Sequence, residues 1–334
     1  MIVRRTHDLQ SAILSGRPGG DNVIVDLNTP SADYVLDGRR LAMLCAWKGS
    51  QEVSVDGRRV LVDDDTWLLV PASVVGSTAA RIRAPHNVHA LTILFRQGLP
   101  EEVLGALTTS DDRMLEDGEI ASNTSLPFAP HLRPHDRSVT PVLLFIRRHC
   151  DMGLEDPLWY DEQLAFLLER LLLNNRHLMA RARRIPVRRA ATRREILRRV
   201  CLATDFIHGS YARPLMLSDM AGAAFLSRHH FLRLFKQIHD VTPHEYLQRK
   251  RTAAAARLLR SSQMHVDEVV KEVGFDSRST LFRALRRFHG VTPRECRHMA
   301  EAPVFMGAVG PATNAAWLSG SSDEPGPERL ALAH

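Results

Sequence analysis

A chain of 334 residues with 44% hydrophobic and 25% charged positions and a net charge of +6 is ordinary for a globular protein and has material for two domains. No apolar run approaches the roughly 20 residues of a membrane span, and the opening MIVRRTHDLQSAIL lacks the apolar core and small-residue cleavage site of a signal peptide. Cys45, Cys150, Cys201 and Cys296 never form a Cys-x-x-Cys pair, so neither a disulfide framework nor a zinc site is expected and the cytoplasm is the default compartment.

In chain order, residues 22–95 read as short strands. NVIVDLN, LAMLCAWK, EVSV, RVLV, TWLLV and NVHALTILF are rich in β-branched and aromatic residues and are separated by turn signals. In VSVDGRRVLV, Asp56-Gly57 sits between two alternating runs as a tight hairpin requires. Strands at this spacing predict an antiparallel sandwich or small barrel. From about Glu101 the period becomes helical, through PEEVLGAL, Thr140–Cys150 and Asp156–Ala182. The last run carries a broad stripe of Leu164, Leu167, Leu168, Leu171, Leu172 and Met179, which would pack on its own domain or face a second subunit.

The charge is unevenly spread. Residues 1–180 carry 18 Lys and Arg against 24 Asp and Glu, residues 181–300 carry 25 against 10, and residues 301–334 carry 1 against 4. A block of net +15 behind one of net −6 predicts a polyanion-binding module joined to something else, with nucleic acid favoured over a general preference for arginine. The basic stretch Arg181–Arg199, interrupted by Pro186, reads as a linker entering the next helix. Beyond Ala302 the chain turns to Pro, Gly, Ser and Ala without an apolar period, and disorder is expected.

The basic block repeats at an offset of 50. Phe225 meets Phe275, Ser227 meets Ser277, Arg228 meets Arg278, Arg233 meets Arg283, Lys236 meets Arg286, Val241-Thr242-Pro243 meets Val291-Thr292-Pro293, and Glu245 meets Glu295. Each copy opens with a short helix, Leu217–Ala224 or Val266–Val273, followed by a tight turn that uses Gly274 in the second copy. Ser227 and Ser277 then stand at N-cap positions. The next helix points Phe231, Leu234, Phe235 and Ile238 inward in the first copy, and Leu281, Ala284, Leu285 and Phe288 in the second. Arg228, His229, Leu232, Arg233, Lys236 and Gln237 face outward in one; Arg278, Ser279, Phe282, Arg283, Arg286 and Arg287 do so in the other. Two helices joined by a short turn, the second with a basic outer face, predict a helix-turn-helix and its recognition helix. A merely solvated face has little use for Leu232 and Phe282, whereas thymine methyls and sugars would contact them.

Several spaced signatures together resemble the AraC/XylS family: Leu217-x-x-Met220-Ala221, Ser227-x-x-x-Phe231-x-x-x-Phe235-Lys236, Arg251 with the alanines at 253–256 and Leu258-Leu259, Val273-Gly274-Phe275-Asp276 and Gly290-Val291-Thr292-Pro293. The resemblance covers about Arg198–Arg297, with His289 and Leu285 departing from the usual pattern. It implies two helix-turn-helix subdomains joined by a helix over about Pro243–Arg260, roughly 27 Å long at 1.5 Å per residue, able to span successive major grooves about 34 Å apart. It also implies base-edge contacts at His229, Leu232, Arg233, Arg278, Ser279, Phe282 and Arg283, with Arg233 and Arg283 suited to guanine. Phosphate contacts would fall to Arg228, Lys236, Arg286 and Arg287.

Leu44–Val74 looks like the cupin-type jelly roll that precedes this domain in many members, through Gly49, Gly57 and Trp67–Pro71. In that family the barrel often binds a small effector and the following helices dimerise. No catalytic residue, metal or cofactor is expected. His86-x-x-His89 fits a cupin metal set poorly, and Cys150 after His149 lacks the proline of an alkyl-transfer site.

The expected whole is a multidomain α+β protein. It has a cupin-like effector-sensing and dimerisation domain over 1–180, a basic linker over 181–197, a DNA-binding domain over 198–300 and a disordered tail over 301–334. The partner is double-stranded DNA, with RNA polymerase, a small effector and a second copy as further candidates and no membrane. The expected function is a sequence-specific transcription regulator, and the alternative is an effector-independent DNA-bending protein.

Overall fold

The computed structural model describes residues 2–3, 20–36, 38–72, 78–109, 128, 131–185, 187 and 189–299; Pro186 and the tail 301–334 lie outside them. The chain divides into two compact units, Met1–Leu247 and a second opening at Gln248. No helix of the described residues is long and apolar enough to cross a membrane.

The first unit opens with a nearly closed sheet of eight strands: β1 (Ile2–Val3), β2 (Val23–Leu36), β3 (Ala42–Trp47), β4 (Ser50–Val55), β5 (Arg58–Asp63), β6 (Thr66–Val70), β7 (Thr78–Leu94) and β8 (His131–Pro134). The order is β1-β2-β7-β3-β6-β8, with β4 joined to β5 and β7, and all pairs but β1–β2 are antiparallel. Strand β7 serves two neighbours on one side, pairing β3 through His89–Leu94 and β4 through Ala79–Arg81. A register shift between Thr29 and Ser31 of β2 marks the bend that lets this long pair curl.

The period of two sorts the side chains. Val23, Val25 and Leu27 of β2, with Leu44 and Ala46 of β3, fill the barrel interior, while Ile24, Met43, Cys45 and Trp47 face outward. The Asp56-Gly57 hairpin forms as read: Val55 pairs Arg58, and both turn residues have positive φ, 51° and 70°. At Lys48-Gly49 the Asp64 carboxylate accepts both amides, at 2.7 and 3.2 Å. A Cβ on Gly49 would meet Val88 at 2.8 Å, so glycine is required there.

Three helices cover the outer face: α1 (Leu99–Thr109), α2 (Thr140–Asp151) and α3 (Pro157–Arg183). Asp156 caps α3 by accepting from the Leu158 and Trp159 amides, and Pro157 fixes its first turn. The expected stripe resolves here: Leu164, Leu167, Leu168, Leu171 and Leu172 are buried against Trp67, Leu69 and Ile93 of the sheet, and Met179 is only half-buried. The protein's own barrel therefore consumes that stripe.

The remaining helices are α4 (Ala190–Ser210), α5 (Leu217–Ala223), α6 (Arg228–His239), α7 (Pro243–Ser261), α8 (Val266–Glu272), α9 (Arg278–His289) and α10 (Pro293–Arg297). The stretch 181–197, read as linker, is mostly helical: α3 runs to Arg183 and α4 starts at Ala190. Ile196, Leu197, Val200 and Ala203 bury one face of α4, and that packing overrides the charge of its other face.

Candidate nucleic-acid interface

The two copies build their helix pairs from the same local devices. Helices α6 and α9 bury the expected inner stripes completely: Phe231, Leu234, Phe235 and Ile238 in one, Leu281, Ala284, Leu285 and Phe288 in the other. Phe235 stacks edge-on against Phe231 and Tyr246, at ring separations of 5.3 and 5.5 Å. Each reading helix ends in a left-handed residue, Asp240 at φ 59° and Gly290 at φ 72°, whose amide returns to Lys236 or Arg286.

Val-Thr-Pro-x-Glu then starts the next helix. Thr292 accepts from the Glu295 amide, Pro293 occupies the first turn, and Glu295 accepts from the Thr292 amide at 2.6 Å. Thr242 accepts from the Glu245 amide at 3.2 Å in the first copy. The repeated motif is thus a helix-start device placed directly after a helix stop.

The turn before each reading helix departs from the constant offset of 50. Helices α5 and α8 match at 49: the Leu226 amide bonds Ala221 as Phe275 bonds Val270, and the Phe225 amide bonds Gly222 as Gly274 bonds Lys271. Phe225 therefore corresponds to Gly274, both with positive φ at 53° and 79°, and the buried Phe275 corresponds to Leu226. Asp276 is the extra residue that restores the offset of 50 at the reading helices. The caps also differ. Ser277 accepts from the Thr280 amide at 3.3 Å, whereas Ser227 holds the N-cap position without a side-chain bond to the helix.

All eleven expected contact residues are exposed. Arg228, His229, Leu232, Arg233 and Lys236 share the outer face of α6; Arg278, Ser279, Phe282, Arg283, Arg286 and Arg287 share that of α9. Leu232 and Phe282, offset by 50, are 37% and 42% exposed, an unusual outlay of apolar surface among cations. His230 joins His229 at the exposed start of α6. Arg278 is engaged by Asp267 of α8 through both Nε and Nη2, and this pairing holds the Asp267 carboxyl below the usual range. No i,i+4 spacing announces that pair, because the turn creates it. The position equivalent to Asp267 in the first copy is Ser218.

A family model described as a helix-turn-helix domain matches residues 220–299, the stretch that contains both reading helices. Among curated proteins, the probable transcriptional regulator LumQ of Photobacterium leiognathi is 32% identical over 92 residues, 28% of this chain and 37% of that one. A putative AraC-like transcription regulator of Streptomyces lividans is 33% identical over 104 residues, 31% of this chain and 34% of that protein. The matched stretch is thus similar to AraC-like and other HTH-type transcription regulators. The HTH-type transcriptional regulator ExsA of Pseudomonas aeruginosa is 28% identical over 163 residues, 48% of this chain and 56% of the relative. The chain spans between about a third and just over half the length of these relatives.

The basic charge divides between cations engaged within the fold and cations that face outward. Lys250 and Arg251 of α7 are buried, and burial holds the Arg251 guanidinium below its usual pKa despite the nearby Asp276. Arg198 and Arg199 turn onto Glu195, whose carboxyl they hold down at about 2. These cations serve the fold; those of α6 and α9 face outward.

The histidines of the barrel also separate. His86 meets the Lys48 carbonyl at 2.9 Å, while His89 is buried and meets Asp26 at 2.7 Å and Asp151 at 3.8 Å. Asp26, His89 and Asp151 offer one nitrogen and two oxygens within 4.8 Å of one another, a donor set that suits a divalent cation. In the fold they satisfy each other, and Arg147 reaches Asp151 at 3.8 Å.

Proposed function

We propose that this protein is a sequence-specific DNA-binding transcription regulator that reads double-stranded DNA in the major groove with α6 and α9. The observation that carries this reading is the pair of equivalent exposed faces, each a basic stripe with one apolar side chain at the same place. Base contacts are assigned to His229, Leu232, Arg233, Ser279, Phe282 and Arg283, and to Arg278 once it leaves Asp267. Arg228, Lys236, Arg286 and Arg287 meet phosphates. Residues 198–300 form the DNA-binding region. Residues 1–180 sense a small effector and pair with a second copy, and RNA polymerase is a further partner. The similarity to proteins named transcriptional regulators supports this reading. So does a group of exposed apolar side chains around the α2–α3 turn, Phe145, Met152, Leu154 and Leu158, which would suit a subunit contact.

The test is selection of bound sequences from random DNA with the full-length protein, followed by titration of the winner at several salt concentrations. A two-part consensus with log K falling linearly against log salt is expected. Equal recovery of all sequences would overturn the reading.

A further inference from the structure

The first reading helix is fastened to the barrel unit at two places. Asp205 of α4, its side chain 8% exposed, accepts from Arg58 of β5 at 3.0 Å and from the Leu132 amide of β8 at 2.8 Å. Two strands thus hold one carboxylate of the helix that packs on α5 and α6. Burial pushes the Asp205 carboxyl up to about 7, so the two donors offset a real desolvation. At the far end of the long helix α3, Arg181 bonds the Asp240 carboxylate at 2.8 Å and reaches the Ile238 carbonyl at 3.5 Å. Asp240 is the left-handed stop residue of α6, so this second strut grips the end of the reading helix itself. With both struts made, the outer face of α6 is fully open, since Arg228, His229, Leu232, Arg233 and Lys236 are all exposed. The struts therefore place the helix without covering what it presents.

We propose that Arg58–Asp205 and Arg181–Asp240 are positioning contacts through which the barrel unit sets the placement of the first reading helix for DNA, so that a change in the barrel reaches the operator through them. This rests on the DNA-reading function proposed above. Neither pair touches DNA in this scheme; both act through α4 and α6. A rigid placement pre-organises the reading helix, and a freed one must be ordered on binding. The loss should therefore appear on the site that needs both reading helices in register.

The experiment uses the full chain at pH 8, where Asp205 is ionised. Arg58→Ala, Asp205→Asn, Arg181→Ala and the pair Asp205→Asn with Arg181→Ala are titrated against the selected operator and against random DNA of equal length, and melting is followed in parallel. The expected result is a 5- to 30-fold loss on the operator for the double variant, within the usual range of coupling between sites. Binding to random DNA should be unchanged, and Arg58→Lys and Arg181→Lys should keep most of the operator affinity that Arg58→Ala and Arg181→Ala lose.

Because Arg181 and Asp240 are both about half exposed, Arg181→Ala remains informative even if Asp205→Asn unfolds. Variants that melt like the wild type and keep full operator selectivity would overturn the proposal. Failure of the wild-type protein to prefer its operator over random DNA would instead overturn the DNA-reading function, and this inference with it.

Discussion

The two reading units share a plan and differ in how each turn is made. The second uses glycine at both left-handed positions, Gly274 in the turn and Gly290 at the stop; the first uses Phe225 and Asp240. A left-handed β-carbon costs roughly 1–2 kcal/mol, so the first unit carries backbone strain that the second lacks. The second has a true serine cap and an acid, Asp267, that occupies the first arginine of its reading helix. The first has neither, yet Arg181 and Asp205 tie it to the barrel unit. Duplication thus preserved the inner stripe and the outer face and let the fastenings diverge.

Six substitutions would break or sharpen this comparison. The largest effect is expected from Arg283→Ala, which should cost about 1–3 kcal/mol on the cognate site and relax one base position. Binding isotherms on cognate and random DNA check it, and equal loss on both would reassign Arg283 to phosphate. Arg233→Ala should behave alike at a different base if the two faces are functional equivalents.

Next, Thr292→Ala removes the cap of α10 and should destabilise by about 1 kcal/mol, read as a lower denaturant midpoint. Gly290→Ala should cost a similar amount, about 1 kcal/mol, from backbone strain alone. An added Cβ there meets nothing within 4 Å, so a much larger loss would contradict the assigned conformation.

Phe225→Gly runs the other way. It relieves a left-handed phenylalanine that is 72% exposed and buries little, so stability should rise by about 0.5–1 kcal/mol despite the added unfolded-state freedom of glycine. A fall in midpoint would show that Phe225 has a packing role its exposure hides. The smallest effect is expected from Asp267→Asn, which frees Arg278 for DNA. Affinity should rise slightly on the cognate site and less on random DNA, and an equal gain on both would reassign Arg278 to phosphate.

Much of this was legible in the chain. The inner stripes follow from helical periodicity, and the Asp56-Gly57 hairpin from the only residue pair there able to take positive φ twice. The Val-Thr-Pro-x-Glu ending is a local start signal and needs no tertiary context. The correspondence of Phe225 with Phe275 failed because residue identity misled: an inserted Asp276 shifts the turn by one, and only the hydrogen-bond pattern exposes the shift. Where the basic run 181–197 enters the next helix was not legible, since a basic run that buries one apolar face becomes helix once a neighbour supplies the other side.

The sequence by itself determined the duplicated reading helices, their outward residues and the strand-rich first half, because these depend on periodicity, turn chemistry and charge within short windows. Only the tertiary structure decided where the leucine stripe of α3 goes, which cations stay at the surface, and which residues hold the first reading helix to the barrel. Those outcomes join residues 42, 59, 73 and 147 positions apart in sequence, and desolvation, not local propensity, sets them.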